Sequence, residues 1–285
     1  MDSAENPAFV FIHGAWHNHH TWDRLSPLLE ELGYACVAID LAGAGANAAI
    51  PAAFGQRPLD VTAFATEPSP NAGVTQAQRN EAALAAINDV AGKGNGKVVL
   101  VGHSLGGLTV SQLGEQVPDR LHSVVYLAAL LLPYGMMGGD MLGSDVMSRS
   151  QVLSVLMADP EEVGVLRMDC RSEDPDYVAR VKETFYGDVS DTDFRWILSG
   201  LHPDEPAQVT GEPSPITPEK FGGLQRHYIR LFDDLAVNIE AQDEMIRLVD
   251  TQMGNTTVAH TLEASHSPFL SMPEALVDIL VKTAA

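Results

Sequence analysis

Gly102, Ser104 and Gly106 match the pattern G-x-S-x-G within the run VVLVGHSLGGLTV. The run begins like an apolar strand and continues like a helix, so the serine falls at a tight strand-to-helix turn. Such a turn strains the serine backbone, and side chains at positions 102 and 106 would collide with the neighbouring strand and helix. The pattern predicts that Ser104 presents its hydroxyl at a sheet edge as a nucleophile, above a helix N-terminus that favours developing negative charge.

A serine nucleophile needs a general base and a group that orients the base. His266, in LEASHSPFL, follows the last predicted strand and precedes the last predicted helix, which places it at the same edge as Ser104. Asp233 and Asp234 end a strand in HYIRLFDD, giving the chain order serine, aspartate, histidine. Because successive strand side chains point to opposite sides, only one of the two carboxylates can reach His266. We predict Asp234, which lies further along the turn, and keep Asp233 as the alternative.

Acyl transfer also needs N–H groups directed at the charge that forms on the carbonyl oxygen. Leu105 follows the nucleophile, and its backbone amide supplies one donor. The loop after the first predicted strand, HGAW, supplies the other from Ala15, and Gly14 leaves room for the substrate to approach. The sequence therefore predicts an oxyanion hole of two backbone amides.

Four of the ten histidines lie close together in HGAWHNHHTWD: His13, His17, His19 and His20. Such a cluster raises the question of a metal site. A metal site needs ligands that converge from fixed secondary structure, with orienting partners around them. This stretch instead occupies the loop beside the predicted nucleophile and then enters a helix. We therefore predict that the chain uses no metal or organic cofactor, and that His17 borders the substrate pocket.

These residues must be positioned by the elements around them, and short apolar runs alternate with amphipathic helical patterns along the chain. Strands are predicted at 8–13, 34–40, 97–102, 121–130, 227–234 and 256–262, and helices at 21–32, 75–90, 105–117, 238–250 and 273–284. Apolar strands separated by amphipathic helices are typical of a parallel sheet covered on both faces. Right-handed crossovers then bring the carboxyl ends of all strands to one edge, where active sites form.

Two segments interrupt this alternation. Residues 42–74 are rich in Ala, Gly and Pro and form a long excursion at the predicted active edge. Residues 133–222 separate two core strands and carry helical patterns of their own. We predict a cap over the active edge at 133–222, inserted into a core formed by 1–132 and 223–285.

The cap is rich in methionine and aromatic side chains. These residues are Met136, Met137, Met141, Met147, Met157, Met168, Phe185, Tyr186 and Trp196. They pack the cap's own core, or they form an adaptable apolar pocket, because flexible thioethers conform to varied ligands. Met136 and Trp196 are the candidates for lining such a pocket.

Composition narrows the class of protein. The chain has 285 residues, 45% of them hydrophobic, and a formal net charge of −21. This charge repels phosphate backbones and anionic lipid headgroups, so neither nucleic acid nor a membrane is expected as a partner. The N-terminal residues lack a signal-peptide pattern, and the two cysteines are too few for a disulfide framework. We expect a cytoplasmic protein, whose oligomeric state the sequence leaves open.

Several motifs together resemble the serine α/β-hydrolases, and among these the group of plant methyl esterases and hydroxynitrile lyases with their bacterial esterase relatives. The matching motifs are FVFIHGAWH, PLLEELGY, AIDLAGAG, VVLVGHSLGG, YLAAL, YIRLFDD and ASH. The resemblance implies a mainly parallel sheet of about six strands with helices on both faces and a helical cap. It also implies a triad of Ser104, Asp234 and His266 with Ala15 and Leu105 as oxyanion donors.

Two departures favour esterase chemistry within that group. The lyases carry a Thr where this chain has Gly14, and a Lys directly after the histidine, where this chain has Ser267. Without that lysine, a leaving cyanide has no cationic partner. We therefore expect hydrolysis of an apolar carboxylic ester, such as a methyl ester or a lactone, through an acyl-enzyme. The alternatives are C–C bond hydrolysis or a polyketide-type tailoring step on the same triad, hydroxynitrile cleavage, and a ligand receptor without catalysis.

Overall fold

A computed structural model describes residues 5–285, and a parallel sheet lies at its centre. The strands of the chain are β1 (Ala8–Ile12), β2 (Cys36–Ile39), β3 (Val98–His103), β4 (Leu121–Leu127), β5 (Val165–Arg167), β6 (Asp204–Pro206), β7 (Gln225–Leu231) and β8 (Val258–Leu262). Six of them form the central sheet in the order β2-β1-β3-β4-β7-β8, and every neighbouring pair is parallel. The predicted α/β architecture with about six parallel strands is confirmed.

Helices cover both faces of this sheet. They are α1 (Ser26–Glu31), α2 (Val61–Thr66), α3 (Gln76–Ala91), α4 (Gly107–Gln116), α5 (Gly138–Leu142), α6 (Pro160–Val163), α7 (Pro175–Tyr186), α8 (Asp191–Gly200), α9 (Ile239–Met253), α10 (Pro268–Ser271) and α11 (Pro273–Thr283). Local signals explain several boundaries. Thr75, for example, accepts from the Gln78 amide while the Gln78 side chain accepts from the Thr75 amide, so a capping box begins α3.

The strands divide the hydrophobic core between the two faces of the sheet. Phe9 and Phe11 of β1 point into one cluster, and Val10 and Ile12 point into the other, as the two-residue period of a strand requires. All residues of β1 and β3 are buried. The first cluster continues through α7 and α8 into residues 133–222, the segment predicted as a cap and called the cap below, so this segment shares a core with one face of the sheet.

The predicted helix 21–32 is shorter than expected. A 3₁₀ turn occupies His19–Trp22, and α1 begins only at Ser26. Pro27 explains the late start, because proline lacks an amide hydrogen and fits a helix only in its first turn. The helical periodicity of 21–25 results from buried turn residues such as Trp22 and Leu25.

The segment predicted as a helical cap also contains an antiparallel ribbon, which the sequence analysis missed. β5 pairs with β6 across nearly forty residues of intervening chain, which include α7 and α8. The two strands have three residues each, too few for a period-two pattern to be visible in the sequence. Arg167 of β5 and Asp204 of β6 form a buried ion pair with two bonds of 2.7 Å.

The excursion at 42–74 packs against the cap. It contains α2, and the Ser69 amide donates to the Val163 carbonyl at 3.0 Å. Arg167 donates to the carbonyls of Phe64 and Glu67, so the buried guanidinium ties the excursion to the ribbon. None of the helices formed by residues 5–285 has the length and apolar character needed to cross a membrane.

Candidate active site

Ser104 lies between β3 and α4, at the edge where the parallel strands end. Its φ of +53° is in the left-handed region that residues other than glycine rarely adopt. A Cβ on Gly102 would stand 2.5 Å from Val110 Cγ2, and a Cβ on Gly106 would stand 2.6 Å from the His13 carbonyl oxygen. Both contacts are too close for a real side chain, so the two glycines permit the strained turn, as the G-x-S-x-G pattern predicts.

Asp234 and His266 meet at the same edge. His266 Nδ1 lies 2.7 Å from Asp234 Oδ2, and both side chains are buried. The other carboxylate oxygen, Oδ1, accepts from the amides of Ala236 and Val237 at 2.7 and 2.9 Å. Asp233 is exposed. The structure therefore brings Asp234, and not Asp233, to the histidine, and backbone amides hold the carboxylate in place.

The loop after β1 lies against the serine. A Cβ on Gly14 would come within 2.8 Å of Ser104 Cβ and 2.9 Å of His103 Nδ1. The glycine therefore makes room for the nucleophile and its neighbour, whereas the sequence analysis expected it to make room for the substrate. Among the described residues, no hydrogen-bond acceptor engages the Ala15 amide.

A small apolar cavity of about 40 Å³ opens beside Ser104. Backbone and side-chain atoms of eleven residues line it: Ala15, Trp16, Ser104, Leu105, Leu130, Leu142, Val152, Leu166, Phe185, Ala236 and Val237. Both predicted oxyanion donors and the predicted nucleophile are in this set. Four of the others, Leu142, Val152, Leu166 and Phe185, come from the cap. Every lining residue except Ser104 has an apolar side chain.

Besides Gly14, three more predicted pocket residues do not line this cavity. Met136 packs at the edge of the second core cluster, and Trp196 is 41% exposed beside the Arg24 guanidinium. His17 is buried behind the loop, where its Nδ1 contacts the Ala15 carbonyl at 2.7 Å. None of the cap methionines lines the cavity either. Met141, Met147 and Met168 are buried in the core clusters, Met157 lines a separate concavity, and Met137 is 37% exposed. Sequence periodicity could not separate these cases, because it does not show which face of the cap covers Ser104.

The other histidines near Ser104 are held neutral by burial. Burial lowers the pKa of His13 to about 3 and that of His17 to about 4. Burial also lowers the pKa of His103 and His202 well below the ordinary histidine value. A neutral imidazole donates through one nitrogen and accepts through the other. The rings of His13, His17 and His103 therefore take part in hydrogen bonds as neutral groups, and the ring nitrogens of His202 have no hydrogen-bond partner among the described residues.

The histidine-rich stretch does not converge on a metal. His19 Nδ1 lies 2.8 Å from Asp40 Oδ1, and His20 Nδ1 lies 2.8 Å from Asp23 Oδ2. His13 and His17 turn inward to backbone carbonyls instead. Across residues 5–285, no three or more His, Cys, Asp or Glu side chains are grouped so that they could hold a metal ion.

A larger concavity of about 710 Å³ lies between the excursion and the cap. Its walls include Arg57, Leu59, Asp169, Tyr177 and Arg180. Neither Ser104 nor His266 belongs to its lining. The smaller cavity is therefore the candidate active site, because Ser104 lines it, although the other concavity is larger.

Comparisons with known proteins agree with this geometry. A family model described as the alpha/beta hydrolase family matches residues 9–279. The chain is 25% identical over its whole length to the putative methylesterase 11, chloroplastic, of Arabidopsis thaliana, and covers 65% of that protein. It is 26% identical over 95% of its length to a pyrethroid hydrolase of Sphingobium wenxiniae, and covers 85% of that protein.

A solved structure shows the same fold. The crystal structure of a pyrethroid hydrolase from Sphingobium faniae superposes with a TM-score of 0.72 at 23% identity, over 97% of this chain and 96% of that one. The family match covers nearly the whole described chain, and the nucleophile turn, the strand order and the Asp234–His266 contact fit it. The chain belongs to the alpha/beta hydrolase family.

Proposed function

We propose that the chain hydrolyses carboxylic esters through an acyl-enzyme formed on Ser104. The observation that carries the proposal is the 2.7 Å contact between His266 and a buried Asp234, at the same sheet edge as a serine with a left-handed backbone. A serine becomes nucleophilic when a neighbouring imidazole removes its proton, and a carboxylate holds that imidazole in the required tautomer. The related methylesterases and the pyrethroid hydrolase support hydrolytic chemistry at this site.

The geometry supports the following sequence of steps. His266 Nδ1–H donates to Asp234, so Nε2 is the nitrogen that accepts the Ser104 proton as the hydroxyl oxygen attacks the ester carbonyl. The amides of Ala15 and Leu105 donate to the oxyanion of the tetrahedral intermediate. His266 then protonates the leaving alcohol, and the acyl-enzyme forms. A water molecule, activated by the same imidazole, releases the acid.

The cavity indicates the kind of ester. Its walls are apolar, and no charged side chain contributes to them. Burying a carboxylate or an ammonium group there without a partner would be costly, so the group that enters the cavity must be neutral. At about 40 Å³, the space fits a small apolar group. We propose esters, including methyl esters and lactones, that place a small uncharged group in this cavity and leave the larger part outside it.

Replacing the nucleophile tests the proposal. Ser104→Ala should lower the turnover of a short-chain nitrophenyl ester by roughly 10³-fold or more, because the acyl-enzyme cannot form. Ser111→Ala is the control. Ser111 lies on α4, and its buried hydroxyl is 2.9 Å from the Tyr126 hydroxyl and outside the cavity. Unchanged turnover in Ser104→Ala would refute the proposal.

A covalent probe separates an enzyme from a binding protein with the same fold. A fluorophosphonate should label the wild-type chain and the Ser111→Ala variant, and it should fail to label Ser104→Ala. A ligand receptor without an activated serine would remain unlabelled. Among active chains, ester panels of increasing acyl and alcohol size, with a lactone and a cyanohydrin included, then distinguish the hydrolytic alternatives from lyase chemistry.

A further inference from the structure

We propose that Tyr186 and Glu205 of the cap are positioning residues for the oxyanion hole, acting through His17 and the peptide bond between Ala15 and Trp16. The inference rests on the proposed acyl transfer at Ser104. It assigns a positioning role to the cap in addition to covering the cavity.

Two histidines hold the carbonyls of this loop. His13 Nδ1 lies 2.8 Å from the Gly14 carbonyl oxygen, and His17 Nδ1 lies 2.7 Å from the Ala15 carbonyl oxygen. A carbonyl only accepts, so each Nδ1 carries the proton. In a trans peptide the C=O and N–H bonds point in opposite directions. The Gly14 carbonyl and the Ala15 amide belong to one peptide, so a hydrogen bond that holds this carbonyl also fixes the direction of the amide. The Ala15 carbonyl belongs to the next peptide, and the bond from His17 fixes the plane of that peptide.

Tyr186 selects the tautomer of His17 that this arrangement needs. The Tyr186 hydroxyl lies 2.8 Å from His17 Nε2, and both groups are buried. Because Nδ1 is the donor, Nε2 must accept, and the tyrosine O–H donates to it. The hydroxyl stabilises the tautomer in which Nδ1–H faces the Ala15 carbonyl. Without it, the Nε2–H tautomer becomes competitive and would turn a lone pair toward that carbonyl.

Glu205 holds the other end of the same peptide. The Trp16 amide donates to Glu205 Oε2 at 3.2 Å, and Arg79 Nη1 lies 2.6 Å from Glu205 Oε1. The cap forms two more hydrogen bonds with Trp16. The Trp16 indole N–H donates to the Leu166 carbonyl at 2.8 Å, and the Trp16 carbonyl accepts from the His202 amide at 3.2 Å. Trp16 has a φ of +62°, a conformation that persists only when the surroundings enforce it. These three contacts all come from the cap.

The Tyr186→Phe variant removes only the hydroxyl. The ring keeps its packing against His17 and Phe194. We expect kcat for a nitrophenyl ester to fall ~10-fold, as the loss of one oriented hydrogen bond allows, with KM within ~2-fold of wild type. The inhibition constant of a trifluoromethyl ketone, whose adduct with Ser104 carries an oxyanion, should rise by the same factor.

Tyr177→Phe is the matched control. Tyr177 lies on the same helix, is also buried, and donates to the Val155 carbonyl at 2.7 Å, away from the oxyanion loop. Because the Tyr177 hydroxyl also accepts from the Asp169 amide at 3.1 Å, this change should lower thermal stability at least as much as Tyr186→Phe while leaving kcat and the ketone affinity unchanged. Nitrogen NMR of the His17 ring gives a readout independent of activity, because only Tyr186→Phe should increase the Nε2–H tautomer.

Glu205 requires paired variants, because removing its charge alone would leave Arg79 buried without a partner. Arg79→Leu with Glu205→Gln keeps an acceptor for the Trp16 amide, whereas Arg79→Leu with Glu205→Met does not. The first pair should retain kcat within ~3-fold, and the second should lose ~10-fold or more. Both remove the same ion pair, so a difference between them reports the contact to the amide.

The outcomes separate this inference from the proposed function. If wild type hydrolyses the ester and is labelled at Ser104, but both tyrosine variants behave alike and both double variants behave alike, the positioning role is wrong. If wild type shows neither turnover nor labelling, the proposed function fails and the positioning role falls with it. A selective loss in Tyr186→Phe and in the Met-containing pair supports the inference.

Discussion

The imidazoles around Ser104 differ in what they can do because they differ in their partners. His266 contacts a carboxylate, whereas His13 and His17 contact backbone carbonyls. In the proposed mechanism, the buried carboxylate stabilises the protonated imidazole that forms when His266 accepts the serine proton. Carbonyl partners offer no such charge, and burial keeps the pKa of His13 and His17 far below the working range of a base at neutral pH. Only His266 is suited to proton transfer among these three.

The same reasoning predicts different effects for two adjacent aspartates. Asp234→Asn should lower kcat by ~10⁴-fold, because an amide in this position stabilises the wrong tautomer of His266 and cannot stabilise the imidazolium. Asp233→Asn should have little effect, since Asp233 is exposed. Turnover of a nitrophenyl ester at pH 7.5 measures both. Equal effects of the two changes would contradict the assignment of Asp234.

Among the elements, the cap contributes contacts to both loops that carry the proposed catalytic groups. Tyr186 at the end of α7 contacts His17, and Glu205 of β6 contacts the Trp16 amide. Just after α7, Asp188 accepts from the hydroxyl of Ser265, which precedes His266. The cap thus touches both the oxyanion loop and the histidine loop. These contacts are the basis for the proposal that the cap positions the reacting groups as well as covering them.

The ribbon of the cap should be sensitive to loss of its buried charge pair. Asp204→Asn should lower the free energy of unfolding by about 3–5 kcal/mol, because it leaves the Arg167 guanidinium buried without a counter-charge. Urea unfolding measures the change. Arg167→Met with Asp204→Leu should recover part of the lost stability, because no unpaired charge is left buried. The recovery should be incomplete, because the carbonyls of Phe64 and Glu67 lose the donor that Arg167 provides.

Glu244→Gln provides the control for this prediction. Glu244 pairs with Arg247 on the exposed face of α9, where an ion pair contributes little to stability. If Asp204→Asn costs no more than this surface change, the ribbon pair is not an important anchor of the cap.

For the whole molecule, two electrostatic effects oppose each other on acidification. The formal charge of −21 falls in magnitude as the pH approaches the isoelectric point near 4.6, and this weakens the repulsion between surface carboxylates. Buried imidazoles have the opposite effect, because the unfolded chain binds protons that the folded chain cannot. The histidines with strongly lowered pKa are His13, His17, His103, His202 and His227. Surface repulsion is screened beyond ~8 Å at physiological salt, so the buried groups should dominate.

We therefore predict that stability falls as the pH is lowered from about 6.5. Above that pH the imidazoles are neutral in both the folded and the unfolded chain. Below it, each buried imidazole lowers the free energy of unfolding by up to ~1.4 kcal/mol per pH unit, until the pH reaches the pKa of that imidazole in the folded chain. For His13 and His17 these folded values are about 3 and about 4. Urea midpoints at pH 7.5, 6.5 and 5.5 measure the effect. A midpoint that rises on acidification would show that surface repulsion dominates instead.

One variant pair isolates the contribution of a single buried imidazole. His227 Nδ1, on β7, lies 3.2 Å from His260 Nε2 of β8, and burial lowers the pKa of His227 to about 4. His227→Gln should reduce the loss of stability between pH 6.5 and 5.5 by up to ~1.4 kcal/mol. Thr62→Ala changes an exposed side chain on α2 that does not titrate, and its pH dependence should match that of wild type. Equal slopes for the two variants would contradict the prediction.

The features of this protein that depend on local pattern can be predicted from its sequence. The glycines around Ser104, the apolar strands and the chain order of serine, aspartate and histidine predict the nucleophile turn, the parallel sheet and the edge where its strands end. The reason is that a strand-to-helix turn and a buried parallel strand each impose constraints within a few neighbouring residues. Those constraints are visible without knowing the fold.

Tertiary structure alone decided which distant residues meet. Asp233 and Asp234 are adjacent in sequence, and only the path of the chain after β7 brings one of them to His266. Met136 and Trp196 have the side chains of pocket residues, yet Leu142, Val152, Leu166 and Phe185 line the cavity. Tyr186 and Glu205 carry no local signal at all, because their partners His17 and Trp16 lie 169 and 189 positions away. Such contacts depend on how the cap packs onto the core, which side-chain type and periodicity do not encode.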